Sequence, residues 1–474
     1  MARKLNLFSS NNRKKLIKEI SSNIFDVIVI GGGITGAGIC LDAASRGFKV
    51  CLVEMSDFAS GTSSKSTKLI HGGLRYLEQF KFKLIRETGT ERAVLNNLAP
   101  HIVKSEKMLL PISKGGKLGK FSTSLALQVY DYLAKVNKAD KKKMLSKKNT
   151  LSYEPLLRRE NITGGALYSE YRTDDSRLTI DILKKSYSYG ALPINYMKFE
   201  KFLYKNEKII GTNCKDILSN KKINITSKYI INASGSWADE VLNEKTKKLI
   251  LSKGVHIVIP NKKFPLKQSI YFDAIDDRMI FAIPRNKTIY IGTTDSVFDR
   301  KKDNLRVLKK EVRYLIDSVN KSFSVKITEN DILSSWVGLR PLIKEKNKPV
   351  TEISRKDEIF LSKNGLITIA GGKLTGYRKM SERVVDLLSK KLFNLNKKCI
   401  TKNIKLFDAS LEEYLSEGEK LNASYKDLIK IYNIYGSQGI EIFQIQNDYI
   451  SKIKNERLLI SELIYCLKNE MCHN

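Results

Sequence analysis

The chain has 474 residues, of which 42% are hydrophobic and 28% charged, the composition of a soluble globular protein with room for two or three domains. It contains no apolar run of the ~20 residues that a membrane-spanning helix needs, and its first residues predict no secretory signal. The six cysteines form no C-x-x-C pair, which fits a reducing compartment and predicts no metal site. We therefore expect a cytoplasmic protein rather than an integral membrane protein, with peripheral contact to the inner face of the cell membrane left open.

The net charge is strongly positive, because Lys and Arg exceed Asp and Glu by 84 − 50 = 34. Three explanations compete: nucleic-acid binding, attraction to an anionic membrane surface, and lysine filling exposed positions throughout. The lysines are spread from Lys14 to Lys468, and few aromatic residues alternate with them as stacking platforms. We therefore favour the third explanation and expect no nucleic-acid partner. Attraction of an anionic membrane surface or an anionic substrate would be a by-product.

The N-terminal segment is polar and basic up to residue 23. Within it Leu16, Ile17 and Ile20 have the spacing of a short amphipathic helix. Such a helix can lie on a membrane surface or pack on the neighbouring domain. We favour packing on the first domain.

A β-α-β unit is predicted directly afterwards. Phe25 to Ile30 is a continuous apolar run typical of a buried parallel strand, a helix is expected from Ile34 to Arg46, and Lys49 to Val53 forms a second strand that ends at Glu54. The glycine turn between the first strand and the helix reads Gly31-Gly32-Gly33-Ile34-Thr35-Gly36, a G-x-G-x-x-G. This order predicts a dinucleotide site, with FAD and NAD not yet distinguished.

Each part of this unit has an expected role in binding a dinucleotide. Gly31 permits the tight turn, Gly33 lets a pyrophosphate approach the main chain, and Gly36 lets helix and strand pack closely. The positive end of the helix favours the phosphate charge. Glu54 is placed to accept hydrogen bonds from the ribose hydroxyls of the adenosine.

The segment that follows Glu54 is rich in small hydroxyl residues. Thr62, Ser63 and Ser64 can donate hydrogen bonds to pyrophosphate oxygens, or they can form an ordinary Ser/Thr turn. His71 stands before Gly72 and Gly73, where a planar ring could lie flat on the main chain, although a lone histidine is more often structural.

The middle of the chain alternates helical and strand patterns. Residues 80–165 are mostly helical in pattern, a helix is expected from about Arg177 to Tyr189, and a strand over 228–232 ends in a second glycine turn, Ala233-Ser234-Gly235. Short strands over 254–260, 268–272, 279–284 and 288–292 predict an antiparallel sheet that carries His256.

A second glycine-rich site is predicted between residues 338 and 375. Gly338 to Pro341 is expected to be a compact turn that carries the guanidinium of Arg340. A buried strand over 365–370 ends in Gly371-Gly372-Lys373-Leu374-Thr375, where a helix begins that is expected to run to about Lys390. The positive end of this helix favours negative charge, as on the N1/O2 edge of a reduced flavin. Short helices are expected from about 400 onward.

Taken together, these stretches resemble the FAD-dependent glycerol-3-phosphate dehydrogenases, a branch of the D-amino-acid-oxidase-like flavoproteins. The matching motifs lie in the family's order over roughly residues 24–388, and they read GGGITGAG, DFASGTSSKSTKLIHGGLRYL, EYRTDDSRLT, INASGSW, FAIPR with IGTTD, GLRPL, EISRKDEIF and IAGGKLTGYRKM. The longer motifs are far more specific than the glycine fingerprint alone.

The expected fold is α/β, with a Rossmann-like FAD-binding domain, an antiparallel-sheet substrate domain and a small helical C-terminal domain. The FAD-binding domain is expected in three segments, at 24–80, 166–240 and 331–390. The substrate domain is expected as a helical insertion at 81–165 and a substrate-binding sheet at 241–330. The helical C-terminal domain, 391–474, is shorter than is usual in the family.

The resemblance implies oxidation of sn-glycerol 3-phosphate to dihydroxyacetone phosphate, with a hydride moving from C2 to flavin N5 and electrons passing to a membrane quinone. Arg340, Arg355 and Lys373 would hold the substrate, because a phosphate dianion needs several cations. His256 and His71 would lie near the reacting carbon, where the C2 hydroxyl needs a base. The choice between the two histidines and the formation of a homodimer stay open.

The same resemblance, with the patterns above, gives the residues that we expect to contact FAD. They are Gly31, Gly33, Ile34, Thr35, Gly36, Glu54, Thr62, Ser63, Ser64, Gly72, Gly73, Ala233, Gly235, Gly372, Lys373, Leu374 and Thr375.

Three alternatives remain at this point. A glycerol-3-phosphate oxidase would pass the electrons to oxygen and release hydrogen peroxide, and the sequence does not distinguish it from a quinone-reducing enzyme. A flavin-containing nucleic-acid-binding protein is suggested by the positive charge, although the even spread of lysine opposes it. An inactive member of the family is suggested by the short C-terminal domain.

Overall fold

The computed structural model describes residues 8–71, 82–115, 119–133, 140–244, 246–276, 278–345, 356–407, 409–449 and 457–473. Its strands are β1 (Ile24–Ile30), β2 (Val50–Val53), β3 (Leu69–Ile70), β4 (Lys104–Ser113), β5 (Lys143–Ser146), β6 (Ile162–Arg172), β7 (Leu192–Ile194), β8 (Met197–Lys205), β9 (Lys208–Asp216), β10 (Lys222–Asn232), β11 (Leu249–Pro260), β12 (Ser269–Asp273), β13 (Met279–Arg285), β14 (Thr288–Gly292), β15 (Ser296–Val297), β16 (Ser334–Ile343), β17 (Asp357–Leu361) and β18 (Leu366–Gly371). Its α-helices are α1 (Arg13–Ser22), α2 (Ile34–Ser45), α3 (Phe82–Leu98), α4 (Lys120–Leu133), α5 (Lys147–Tyr153), α6 (Asp175–Ser188), α7 (Ala238–Leu242), α8 (Lys309–Ser322), α9 (Tyr377–Asp386), α10 (Leu411–Lys420), α11 (Tyr425–Tyr435), α12 (Ile440–Tyr449) and α13 (Arg457–Asn469).

The first sheet is built on the predicted β-α-β unit. Its strands lie in the order β17-β18-β10-β1-β2-β7, and all neighbours from β18 to β7 are parallel. The antiparallel pair β8 and β9 extends from β10. Strands β1 and β2 are almost completely buried, which agrees with their continuous apolar sequence. The predicted β-α-β unit is confirmed.

The register of the parallel strands brings three glycine turns to one edge of this sheet. Ile30 pairs with Val53 and Asn232, and Asn232 pairs with Thr368. The turns that begin at Gly31, Ala233 and Gly371 therefore leave the same edge, at the carboxyl ends of neighbouring strands. This is where ligands bind in open parallel sheets.

The second sheet has the order β15-β11-β14-β13-β12-β4-β6-β3, with β16 paired to β11 and β5 paired to β6. Its pairs are antiparallel except β12 with β4. The predicted antiparallel sheet is confirmed, and it is larger than expected. Residues 80–165 supply β4 and β5 as well as α3, α4 and α5. A short apolar run such as Met108 to Ile112 does not reveal whether it is helix or strand, and here pairing with β6 decides for strand.

Gly338 to Pro341 does not form the compact turn that the sequence predicts. These residues lie inside β16, where Arg340 pairs with Ser252 of β11 and Gly338 pairs with Gly254. In the described structure β16 pairs with β11 alone, so the missing N–H of Pro341 breaks no pairing on its other side. Glycine and proline suggest a turn, but a long-range strand partner overrides that local preference.

The N-terminal helix packs on the first sheet, whereas the C-terminal helices pack mainly on one another. Leu16 and Ile20 of α1 are buried in its core, so the expected packing of this helix is confirmed. Helices α10 to α13 form a cluster of their own around Tyr414, Ile431 and Tyr465, which confirms the helical C-terminal region. None of the helices in the described ranges is both long and apolar enough to cross a membrane.

Candidate active site and cofactor cavity

A cavity of about 1040 Å³ is lined from both sheets, at the edge where the three glycine turns meet. Fifteen of the predicted site residues line it: Gly31, Gly33, Ile34, Thr35, Glu54, Thr62, Ser63, His71, Ala233, Gly235, Arg340, Gly372, Lys373, Leu374 and Thr375. Gly36, Ser64 and His256 are not among its lining residues. Gly72, Gly73 and Arg355 lie outside the described residues.

The first glycine turn leaves no room for a side chain between the strand ends. Gly31 has a φ of +112°, and a Cβ there would lie 2.6 Å from the carbonyl oxygen of Ala233. A Cβ on Gly36 would collide with the carbonyl oxygen of Gly31. Gly36 therefore acts through close packing of α2 on the turn rather than by lining the cavity. The turn and the start of α2 form the bare backbone surface that a pyrophosphate requires.

Glu54 lies at the end of β2 and lines the same cavity. Its carboxylate accepts hydrogen bonds from the backbone N–H groups of Gly32 (2.7 Å) and Ser56 (2.9 Å). Burial raises the pKa of Glu54, and the two hydrogen bonds oppose that rise. The carboxylate is thus fixed beside the glycine turn, where the adenosine ribose of a dinucleotide lies in this fold.

The three hydroxyl residues that follow differ in what they can offer a ligand. Thr62 donates to the carbonyl oxygen of Leu339 at 2.6 Å, so its single proton is directed to β16. Ser63 accepts from the backbone N–H of Ile34 at 2.8 Å, which leaves its own proton for the cavity. The hydroxyl oxygen of Ser64 lies 3.5 Å from the carbonyl oxygen of Gly61, and Ser64 does not line the cavity. Of the three, the geometry favours Ser63 as a donor to a phosphate.

The second glycine-rich segment brings the N-terminus of α9 to the cavity. Gly371 and Gly372 have φ values of +79° and +80°, which side chains rarely tolerate. Thr375 then donates its hydroxyl to the carbonyl oxygen of His71 at 3.1 Å. The positive end of α9 therefore faces the cavity, next to the segment that carries His71.

Arg340 is held rigidly on the cavity wall. Its guanidinium donates to the hydroxyl of Thr293 at 2.8 Å and to the hydroxyl of Ser252 at 3.3 Å, and it lies 3.6 Å from the carboxylate of Asp295. A Cβ on Gly254 would collide with this guanidinium, so the glycine lets it lie against β11. Lys373 lines the cavity as well. Two of the three predicted phosphate ligands therefore share one cavity.

The sequence interpretation missed a second guanidinium on this wall, that of Arg278. It lies between β12 and β13, lines the cavity, and donates to Asp276 at 2.7 Å and to the carbonyl oxygen of Asp295 at 3.3 Å. Arg278 lies in a short charged segment between two predicted strands, which carries no motif that would mark it as a ligand. Only the fold brings Arg278 and Arg340 to the same residue, Asp295.

The two candidate histidines occupy different positions. His71 lines the cavity, with its ring edge-on to Phe281 at 5.9 Å between centroids. His256 is buried and stacks on Trp336 at 4.7 Å. Burial, followed by the nearby positive charge of Arg340, holds the pKa of His256 well below its usual range. His256 is therefore separated from the cavity by another side chain.

The residue between His256 and the cavity is Thr67, which the sequence interpretation also missed. Thr67 lines the cavity, and its hydroxyl oxygen lies 3.0 Å from Nε2 of His256. Its signal in the sequence was its place in a hydroxyl-rich segment before the His-Gly-Gly motif, where it could not be told apart from its neighbours.

A parallel sheet with three glycine turns at one edge, facing an antiparallel sheet that carries cations, is the arrangement of a dinucleotide-binding enzyme. The family model of the FAD dependent oxidoreductases matches residues 26–378. An aerobic glycerol-3-phosphate dehydrogenase of Staphylococcus aureus (strain MRSA252) is 47% identical over 98% of this chain and 87% of the relative. The chain therefore belongs to this family of FAD-dependent oxidoreductases and, within it, to the aerobic glycerol-3-phosphate dehydrogenases.

Two solved structures show the same architecture. The glycerol-3-phosphate dehydrogenase from Bacillus halodurans, complexed with FAD, matches with a TM-score of 0.82 and 41% identity over 98% of this chain and 87% of that one. The L-α-glycerophosphate oxidase from Mycoplasma pneumoniae, with FAD bound, matches with a TM-score of 0.64 and 19% identity over 81% of this chain and 98% of that one, so it shares the fold. The predicted family, fold class and FAD cofactor are confirmed.

Proposed function

We propose that the protein oxidises sn-glycerol 3-phosphate to dihydroxyacetone phosphate and passes the electrons to a quinone. The observation that carries this proposal is that Arg340 and Lys373 line the same cavity as the glycine turns. A small phosphorylated alcohol held by these cations would lie beside the cofactor. The relatives that cover most of this chain carry the corresponding name.

In this proposal the side chains bind and orient the substrate. When bound, FAD supplies the two-electron acceptor for the hydride that leaves C2. Arg340 is already fixed by hydrogen bonds to Thr293 and Ser252, so little side-chain freedom is lost when it meets the phosphate. His71 lies on the cavity and can face the C2 hydroxyl directly, while His256 lies behind Thr67. In this proposal, one of these two histidines therefore accepts the proton of the C2 hydroxyl.

The surface of α4 supports a quinone as the electron acceptor. Leu125, Ala126, Leu127 and Val129 line the cavity. Leu125 is also 54% exposed, and Tyr132 is 83% exposed. Leu125, Val129 and Tyr132 follow the i, i+4, i+7 spacing of one helix face. An apolar face thus runs from solvent to the cavity, which suits an apolar acceptor dissolved in a membrane. With the net charge of +34, we also propose peripheral attachment to an anionic membrane.

Anaerobic spectroscopy tests the oxidation step. The purified holoenzyme should show a flavin spectrum that sn-glycerol 3-phosphate bleaches and glycerol does not, because glycerol lacks the phosphate that Arg340 binds. A spectrum that both compounds leave unchanged would refute the assigned reaction and would favour an inactive member of the family.

Acceptor choice needs a separate assay, because an oxidase of this fold exists. We expect Leu125→Asp to slow the reduction of a water-insoluble quinone while leaving dye reduction intact. Leu459→Asp, which changes a leucine that is 61% exposed on α13, serves as the matched control. Stoichiometric hydrogen peroxide in air with no quinone reduction would assign the oxidase activity instead.

A further inference from the structure

We propose that the hydroxyl of Thr67 contacts the C2 hydroxyl of the substrate and relays its proton to His256. The inference deepens the proposed function and rests on it. It starts from the geometry of the cavity wall: Thr67 lines the cavity, and His256, which is 1% exposed, does not. The distance of 3.0 Å between the Thr67 hydroxyl and Nε2 of His256 is that of a good hydrogen bond.

His256 has no other polar contact in the described part of the chain through which a proton could pass. Its Nδ1 is buried and has no hydrogen-bond partner among those residues. Its ring is covered on one side by Trp336, which stacks on it with an angle of 10° between the planes. Any proton that reaches His256 from the cavity in this arrangement therefore passes through Thr67.

Thr67 is held in place by its neighbours on both sides. Ser66 donates its hydroxyl to Asp175 at 2.6 Å, and Lys68 forms an ion pair with the same carboxylate at 2.6 Å. The indole N–H of Trp336 donates to the carbonyl oxygen of Ser66 at 3.3 Å. Asp175 opens α6, which packs on the first sheet, whereas Trp336 belongs to the second sheet. The short segment that carries Thr67 is thus anchored to both sheets.

The proton balance of the step is simple. The C2–H bond breaks, and its hydrogen leaves with the electron pair as the hydride that FAD accepts. The proton of the C2 hydroxyl moves to Oγ1 of Thr67 while the proton of Thr67 moves to Nε2 of His256. The products are a ketone and an imidazolium ion, which returns its proton along the same path after product release. The ring must begin neutral with its proton on Nδ1.

The charges around His256 fit this role. Burial comes first in keeping the ring neutral, and the positive charges of Arg340 and Lys68 add to the lowering of its pKa. Lys68 is already paired with Asp175. A phosphate dianion at Arg340 would offset the other positive charge, so the ring would become a stronger base when substrate is bound.

The test uses the variants Thr67→Val, which removes the hydroxyl at nearly constant volume, and Thr67→Ser, which restores it. Thr90→Val, on the exposed face of α3, is the control for the general effect of replacing a threonine by valine. The measurements are FAD content, the dissociation constant of dihydroxyacetone phosphate from its effect on the flavin spectrum, and the anaerobic rate of flavin reduction against pH.

We expect Thr67→Val to reduce flavin about 100-fold or more slowly than wild type, a loss within the range of general-base catalysis. FAD content and the dissociation constant should change by less than about twofold, and Thr67→Ser should stay within about fivefold of wild type. The acidic limb of the pH profile, where protonation of the His256 ring removes the base, should be lost in Thr67→Val but kept in Thr67→Ser.

Three results would overturn the inference. They are a Thr67→Val rate within about threefold of wild type, a rate loss that only parallels FAD loss, and a Thr67→Ser variant as slow as Thr67→Val. Failure of wild type to be bleached by sn-glycerol 3-phosphate would instead refute the proposed function, and the relay with it.

Discussion

Glu470 is expected to contribute strongly to the contact between the C-terminal helices and α6. It follows α13, and its carboxylate lies 2.7 Å from Arg177 and 3.3 Å from Lys184, both on α6. All three side chains are buried. The exchange Glu470→Gln keeps the shape of the side chain and removes its charge, so it tests the ion pairs without creating a cavity.

The magnitude follows from the pKa of Glu470. Burial alone would raise it, but the charges of Arg177 and Lys184 outweigh burial and lower it from 4.5 to about 2. That difference corresponds to about 3 kcal/mol of folding free energy. Because the pKa is lower in the folded protein, this contribution is fully present above pH 4.5 and is lost as the pH falls toward 2.

The assay is guanidinium unfolding of the FAD-saturated protein at pH 7 and at pH 3.5. At pH 7 we expect Glu470→Gln to lower the free energy of unfolding by roughly 3 kcal/mol, and at pH 3.5 the deficit should narrow by about 1 kcal/mol. The control is Glu419→Gln, an exposed position on α10, which should change stability by less than about 0.5 kcal/mol. A deficit equal to that of the control, or one that does not depend on pH, would refute the reasoning.

Three further outcomes concern the cavity. Gly36→Ala should lose most of its FAD, because the new Cβ collides with Gly31, and the loss is measured as a lower ratio of flavin absorbance at ~450 nm to protein absorbance. The control Gly119→Ala, whose new Cβ meets no close neighbour, should keep its FAD. Arg340→Lys should raise KM for sn-glycerol 3-phosphate about tenfold or more at unchanged FAD content, since lysine lacks the planar fork, and the exposed Arg313→Lys should not. FAD added to the apoprotein at 100 times its Kd should stabilise it by about 2.7 kcal/mol, measured as a thermal shift that an unchanged Tm would contradict.

The sequence by itself determined the parts of the protein that depend on local pattern. The run from Phe25 to Ile30, the glycine turn after it and the acid at Glu54 predict one compact unit, since each signal lies within a few residues of the next. The same holds for the strand that ends at Gly371 and for the helix over 175–188. Long motifs then identified the family and FAD.

Only the tertiary structure decided how distant segments meet. Arg340 lies in a strand rather than a turn because β16 pairs with β11, far away in the chain. Arg278 reaches the cavity because Asp295 holds it there, and His256 lies behind Thr67 because Trp336 covers its ring. Each of these placements depends on contacts between residues that local propensity does not relate. For that reason the cofactor could be predicted from the sequence, whereas the contact between Thr67 and His256 could not.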